Sequence, residues 1–436
     1  MNRIKYLSLL LGFLAAITLS ACQTGSGYSS ARVWDYKPAQ SAPAEQAPKT
    51  LSATSEIQTE PLPQEPAPQA VQSPPVKVGL LLPLSGQHEA LGQSMLRAAQ
   101  LALFDVAQGN FELLPYDTKG TADGARNGAR NVLAQGAELI LGPVFASSVK
   151  AVKPVARSAN VNVIAFSTDW GIAGGNTFIM GFLPFDQVER LARYTATQSL
   201  GQVSILAPRN DYGRVVTSAW QATMARSGIP PAQVTEFSTR DANLAPMMRN
   251  FTSYDERTRI AEEQQVSPTE IQPSFNAVLM PVGGETAVSI SNLLSHYDLP
   301  PKTVKRLGTG LFDDEGLATE TSLSGAWFAA PSPKLRKSFE QRYVSTYTAA
   351  PPRLASLAYD ATALAAVLAQ RSIKAGGKAD FSRAAISNPN GFAGIDGIFR
   401  FRPNGTAERG LAILEFNRGS IRVIDDAPRT FQNIGY

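Results

Sequence analysis

From Val76 onward, short apolar runs alternate with longer segments in which apolar residues recur at helical spacing. The run Val76-Lys77-Val78-Gly79-Leu80-Leu81-Leu82, ended by Pro83, is too short for a helix and suits a strand buried on both faces. Residues 91–106 follow with Met95, Leu96, Ala99, Leu103 and Val106 on one helical stripe. The alternation continues with strands predicted over 111–116, 138–141 and 161–166, separated by helices over 122–135 and 147–158. A second series begins near Asp186. It predicts helices over 187–199, 212–227, 244–251 and 285–296, and strands over 202–206, 233–237, 275–280 and 304–308. Strand, helix, strand repeats of this kind require right-handed crossovers and build parallel sheets covered on both faces. The predicted fold class is therefore α/β, with two doubly wound lobes. Residues 252–273 interrupt the second series with charged residues (Asp255-Glu256-Arg257, Glu262-Glu263) and predict a helical extension followed by a surface loop. Helices over 334–348 and 354–370 and strands near 397–401, 411–416 and 420–423 close the chain, with Asn404-Gly405 as a hairpin turn.

The first 75 residues follow another rule. Arg3 and Lys5, an apolar run over 7–19 and small residues at 20–21 read as an export signal over 1–21. Leu19-Ser20-Ala21-Cys22 resembles the bacterial lipobox, in which the cysteine is acylated and becomes the mature N-terminus; Cys22 is then a lipid anchor to a membrane. Gln23 after that cysteine implies, by the same resemblance, sorting to the outer membrane with the body facing the periplasm. Residues 22–75 are a linker, because the nine prolines and few large apolar residues between 23 and 75 leave too little to bury. As a coil the linker spans roughly 40 Å, and as extended polyproline about 160 Å. Its aromatic patch, Val33-Trp34-Asp35-Tyr36, either docks or stays solvated. Residues 76–436 form the folded body.

Composition removes several functions. Of 436 residues, two are histidine (His88, His296) and one is cysteine, so a three-histidine metal site, a disulfide and a thiolate zinc site within the chain are all excluded. No metal or other cofactor is expected. Losing Arg3 and Lys5 takes the 40 basic residues to 38 against 36 acidic ones, which is no electrostatic footprint for nucleic acid.

Short motifs in a fixed order carry a family resemblance: Leu84-Ser85-Gly86, Gly92, Gly142-Pro143, Asp211-Tyr212-Gly213 and Ala358-Tyr359-Asp360-Ala361. Together they resemble the type I periplasmic-binding fold in its leucine/isoleucine/valine-binding branch, over about 76–425. The resemblance implies two lobes that close on a ligand about three hinge crossings. Lobe one covers about 76–184 and 327–387; lobe two covers about 185–326 and 388–436. The lipobox, the linker and the ending Gly394-Ile395-Asp396-Gly397 to Gly410-Leu411-Ala412-Ile413 are similar to lipoprotein activators of penicillin-binding proteins. That implies regulation of a peptidoglycan synthase by contact, with transport of an amino-acid-like solute as the alternative.

Ligands of open α/β sheets bind at the carboxyl ends of the strands, where helix N-termini present free N–H groups. Ser85, Ser147, Ser148, Ser167 and Thr168 stand at such ends, and the same hydroxyls can equally cap helices. By the resemblance, the loops carrying the last four of these hold a ligand carboxylate, and Tyr212 covers the ligand. The acid that would grip an α-ammonium is replaced by Gly310, with Asp313 and Asp314 a few residues on; the aromatic residues expected after 275–280 are replaced by Val282-Gly283-Gly284. A buried ammonium without a counter-charge is costly, so a free amino acid is a poor ligand. Ser147-Ser148-Val149-Lys150 matches the S-x-x-K spacing of penicillin-binding enzymes, but the companion S-D-N and K-T-G motifs are missing. His88, His296 and Asp117 read as solvated, capping or structural groups, and no catalytic residue is assigned.

Overall fold

The computed structural model describes residues 74–431 except 108, 109, 231 and 242. The signal, Cys22 and the patch 33–36 lie outside the described residues, as does all but the end of the linker.

The body is built on two twisted sheets. The first has strands β1 (Val76–Leu82), β2 (Phe111–Asp117), β3 (Leu139–Leu141), β4 (Asn162–Ala165) and β5 (Thr177–Ile179), in the order β2-β1-β3-β4-β5 and all parallel. The second contains β6 (Val203–Pro208), β7 (Val234–Phe237), β8 (Ala277–Leu279), β9 (Lys305–Gly308) and β10 (Trp327–Ala330). A small antiparallel sheet of β11 (Phe392–Gly394), β12 (Gly397–Phe401) and β13 (Ala407–Arg409) comes next in the chain. Strands β14 (Ala412–Asn417) and β15 (Ser420–Asp425) then return to the second sheet, whose order is β15-β14-β10-β9-β8-β6-β7.

Both faces of each sheet are covered by helices, so the central strands are apolar throughout: Leu80, Leu81 and Leu82 are all fully buried. Helices start where side chains supply the missing acceptors. Thr121 accepts the Gly124 N–H ahead of helix Ala122–Ala134, and Asn210 accepts the Gly213 N–H ahead of helix Asp211–Arg226. The charged interruption forms helix Tyr254–Gln264. It is pinned by Arg257, which is buried and donates to the carbonyls of Ile271, Tyr297, Pro268 and Asp298.

Two segments sit differently from the lobe limits expected from the sequence. β10 at 327–330, expected to begin the return of lobe one, is bonded to β9 and β14 in the second sheet. The return starts after it, with helix Pro333–Tyr347, whose Phe339 and Tyr343 pack on Ala98 and Leu101. β12 and β13, expected in lobe two, bury Phe399, Phe401 and Ala407 in the same core as β1, β3 and helix Ala355–Lys374. Aromatic side chains facing the first sheet hold that small sheet there. The chain therefore passes between the two packed units three times, near 180–184, 331–333 and 410–411.

Candidate functional site

A cavity of about 330 Å³ lies where these passages converge. Lobe one contributes Thr168, Trp170 and Phe182 from the carboxyl ends of β4 and β5; lobe two contributes Tyr212, Leu311 and Asp313 from the ends of β6 and β9. Arg353, just before helix Ala355–Lys374, closes one side.

Gly310, where the resemblance implied an acid, is held from within the fold. Gly310 donates its N–H to Gln187 Oε1 at 2.7 Å, so this part of the loop is held by an amide. The loop then curls through a short 3-10 turn, Gly310–Phe312. That turn brings Asp313 to the cavity, the shift the sequence made a condition for its taking part. Asp313 is nevertheless spoken for: its side chain is 6% exposed and bridges Arg336 and Arg353, the latter at 3.4 Å. The two arginines belong to the segments packed on lobe one, so this bridge ties the lobes together.

Arg353 has further work. Its guanidinium donates to Asp396 at 2.9 Å and lies 4.2 Å from the centre of the Phe182 ring. Asp396 is fully buried and also accepts from Ser356 Oγ at 2.6 Å. Burial works to raise this carboxyl, but Arg353 and Arg409 beside it, with the Ser356 hydrogen bond, hold it below the ordinary value. Its neighbour Asp360 goes the other way: burial, then the charge of Asp396, push it up to about 7. Gly394 leaves room for that carboxylate, which would lie 2.5 Å from an added Cβ.

The sign of the Asp360 shift has a measurable result. From about pH 4 to pH 7 the folded state keeps a proton that the unfolded chain, with its carboxyl near 3.8, has released, so stability falls as pH rises through that window. Asp360→Asn keeps an oxygen for the Ile395 N–H, which now bonds Oδ1 at 2.7 Å, and removes the titration. The melting temperature of the variant relative to the parent is expected to climb between about pH 4 and 7 and level off above; a difference independent of pH would contradict the assignment.

Of the residues singled out from the sequence, Thr168 and Tyr212 line the cavity. Tyr212 O–H donates to Thr309 Oγ1 at 2.8 Å, and burial raises its phenol above the usual value against the pull of that bond. Ser85 Oγ donates to Asp117, which also takes the N–H groups of Leu84, Ser85 and Lys119. Ser148 is buried on the carbonyl of Thr121, and Ser167 Oγ accepts the Asp169 N–H in a local turn. Ser147 is exposed at the start of helix Ala146–Ser158, and Lys150 pairs with Asp169 at 3.6 Å. His88 packs on Phe145, and His296 on Tyr297. Among the described residues no group of three or more His, Cys, Asp or Glu could hold a metal ion.

Trp170, Phe182, Gln187 and Arg353 escaped the sequence reading. Phe182 lies three residues beyond the short strand β5, and Arg353 follows Pro351-Pro352 in what reads as a loop. A usable signal was present in Arg353, three residues ahead of Ser356 on the helix carrying the Ala358-Tyr359-Asp360 motif.

The family model described as periplasmic binding protein matches residues 75–420. The chain belongs to that family. Solved structures like it include a leucine binding protein, LivK, of Thermotoga maritima, at 20% identity over 80% of this chain and 97% of that one, with a TM-score of 0.55. Others are an ABC-transporter solute binding protein of Rhodopseudomonas palustris in complex with 3,4-dihydroxybenzoic acid (18%, 81% and 96%, 0.56) and the Streptococcus pneumoniae LivJ protein in complex with isoleucine (19%, 81% and 100%, 0.52). A search of curated proteins gave no match. The fold is thus the leucine-binding-protein-like type I periplasmic binding fold, in a family of binding proteins rather than enzymes.

Proposed function

We propose that this periplasmic binding protein captures a small carboxylate with an aromatic or branched apolar body and no free amine. The observation that carries the proposal is the cavity wall. Trp170, Phe182 and Tyr212 offer ring faces and Arg353 offers a cation, while Asp313 is already bridged to Arg336 and Arg353. Arg353 is paired with Asp313 and Asp396 but is 30% exposed and has five N–H donors to share with a ligand carboxylate. Asp313, 6% exposed and held by two arginines, leaves an α-ammonium no open acid. The dihydroxybenzoic acid of the Rhodopseudomonas palustris relative is a ligand of this class.

Thermal unfolding with benzoate, 4-methyl-2-oxopentanoate and leucine tests it. A ligand at 100 times its Kd adds about 2.7 kcal/mol to stability, and each kcal/mol moves the melting temperature of a large domain by roughly 2–4 °C. Shifts of about 5 °C or more are expected with the two carboxylates lacking an amine, and little with leucine. A leucine shift as large as that of its oxo acid would sink the reading.

A second reading rests on the lipobox at Cys22 and the long linker: an outer-membrane lipoprotein that reaches a penicillin-binding protein across the periplasm and regulates it by touch. The internal bridge between the lobes suits it too, since a body tied by its own side chains has less need of a solute. Specific capture of a penicillin-binding protein, with no shift from any solute, would favour this reading over the first.

A further inference from the structure

Outside the cleft, a groove of about 620 Å³ lies among the helices packed on lobe one. That volume falls in the range of roughly 300–1,000 Å³ usual for small-molecule sites. Its floor is one face of helix Ala355–Lys374, from Tyr359 through Ala363, Leu364 and Val367 to Arg371, about 18 Å at the helical rise. Helix Glu89–Val106 gives one wall with Leu101, helix Pro333–Tyr347 another with Phe339, and β11 the third with Phe392. The exposed apolar side chain of Leu335 extends the lining outward.

Charge along the groove is asymmetric. Asp105 is consumed by Arg342 and by the Tyr359 hydroxyl, which donates to it at 2.7 Å. Arg371, on the last turn of its helix, has no carboxylate in salt-bridge range among the described residues. With Asp105 neutralised by Arg342, the groove keeps one unspent cation at the end of an apolar channel. Asp360 at the other end is buried, and burial and Asp396 push its carboxyl up to about 7, so it carries only part of a negative charge at neutral pH.

We infer that this groove is a second ligand site, separate from the cleft, that takes a free aliphatic carboxylate, its chain along Leu364 and Val367 and its head on Arg371. The inference stands whether or not the cleft binds a solute. A single anion on a straight apolar body matches both the shape and the one-sided charge, whereas an amine or a neutral alcohol leaves Arg371 without a partner.

Calorimetric titration of the full chain with decanoate and with decan-1-ol, both below their self-association limits, tests it. Decanoate is expected to bind one to one and decanol at least about tenfold more weakly, the cost of losing one charged hydrogen bond. Arg371→Gln, at an exposed position, should weaken decanoate about tenfold and leave decanol unchanged. Val367→Trp, which fills the groove, should abolish both, and Leu311→Trp, which fills the cleft, neither; circular dichroism checks that each variant is folded. Equal binding of acid and alcohol, or an unaltered decanoate affinity in Arg371→Gln, overturns the head-group assignment. Loss in Leu311→Trp with retention in Val367→Trp overturns the site, as does an absence of binding to the parent chain.

Discussion

Arg353→Ala is expected to cost the folded body about 3 kcal/mol, the low end of the roughly 3–5 kcal/mol lost when one partner of a buried ion pair is removed. Asp396 has no exposed surface, and the substitution leaves it with the Ser356 hydroxyl and the more distant charge of Arg409. The same change removes the stacking on Phe182 and one of the two bridges to Asp313. Arg353→Lys should recover only part of the loss, since a single ammonium cannot donate to two carboxylates and stack on a ring as a planar guanidinium does. Urea unfolding at neutral pH reads the effect as a lower midpoint with an unchanged slope. An unmoved midpoint would mean that Arg409 alone balances Asp396. Solute stabilisation should vanish in Arg353→Ala even where the protein stays folded, because the cation facing the cavity is gone.

Gly213→Ala is the second large effect. An added Cβ would fall 2.0 Å from the carbonyl oxygen of Pro208 and 3.1 Å from its ring. Both are parts of the chain at the end of β6, with no flexible side chain to yield, so helix Asp211–Arg226 must move off the sheet. Such overpacking costs about 1–3 kcal/mol. The shift should also drag Tyr212 away from Thr309 and loosen one wall of the cavity. Gly201, with nothing within 4 Å of its would-be Cβ, is the matched control, and Gly201→Ala should stay within about 0.5 kcal/mol of the parent. Thermal unfolding of both variants, with and without benzoate, checks the difference; chain entropy alone would make either change slightly stabilising, so similar losses at the two positions would contradict the clash at Gly213.

The alternation of apolar strands and amphipathic helices was legible because buried parallel strands and surface helices each have a strong period. β1 runs Val76–Leu82 as expected, and helix Gly284–His296 departs from expectation by one residue. What the chain concealed was short: β5, β11 and β13 have three residues each, too few to repeat a strand's two-residue alternation. Missing β13 also moved the partner of β12, so that the Asn404-Gly405 turn joins β12 to β13 and not to β14. The site divides along the same line. Tyr212 and Thr168 follow strong strands and could be placed; Phe182 and Arg353 reach the cavity only because strands and helices distant in sequence bring them there. The fate of Asp313 could not be read at all, because Arg336 and Arg353, which hold it, lie 23 and 40 residues further on.

Both halves of the Asp313 bridge belong to the protein itself, so opening the cleft means parting charges that already satisfy each other. Any solute whose entry requires that opening binds with its intrinsic affinity scaled by the fraction of molecules standing ajar.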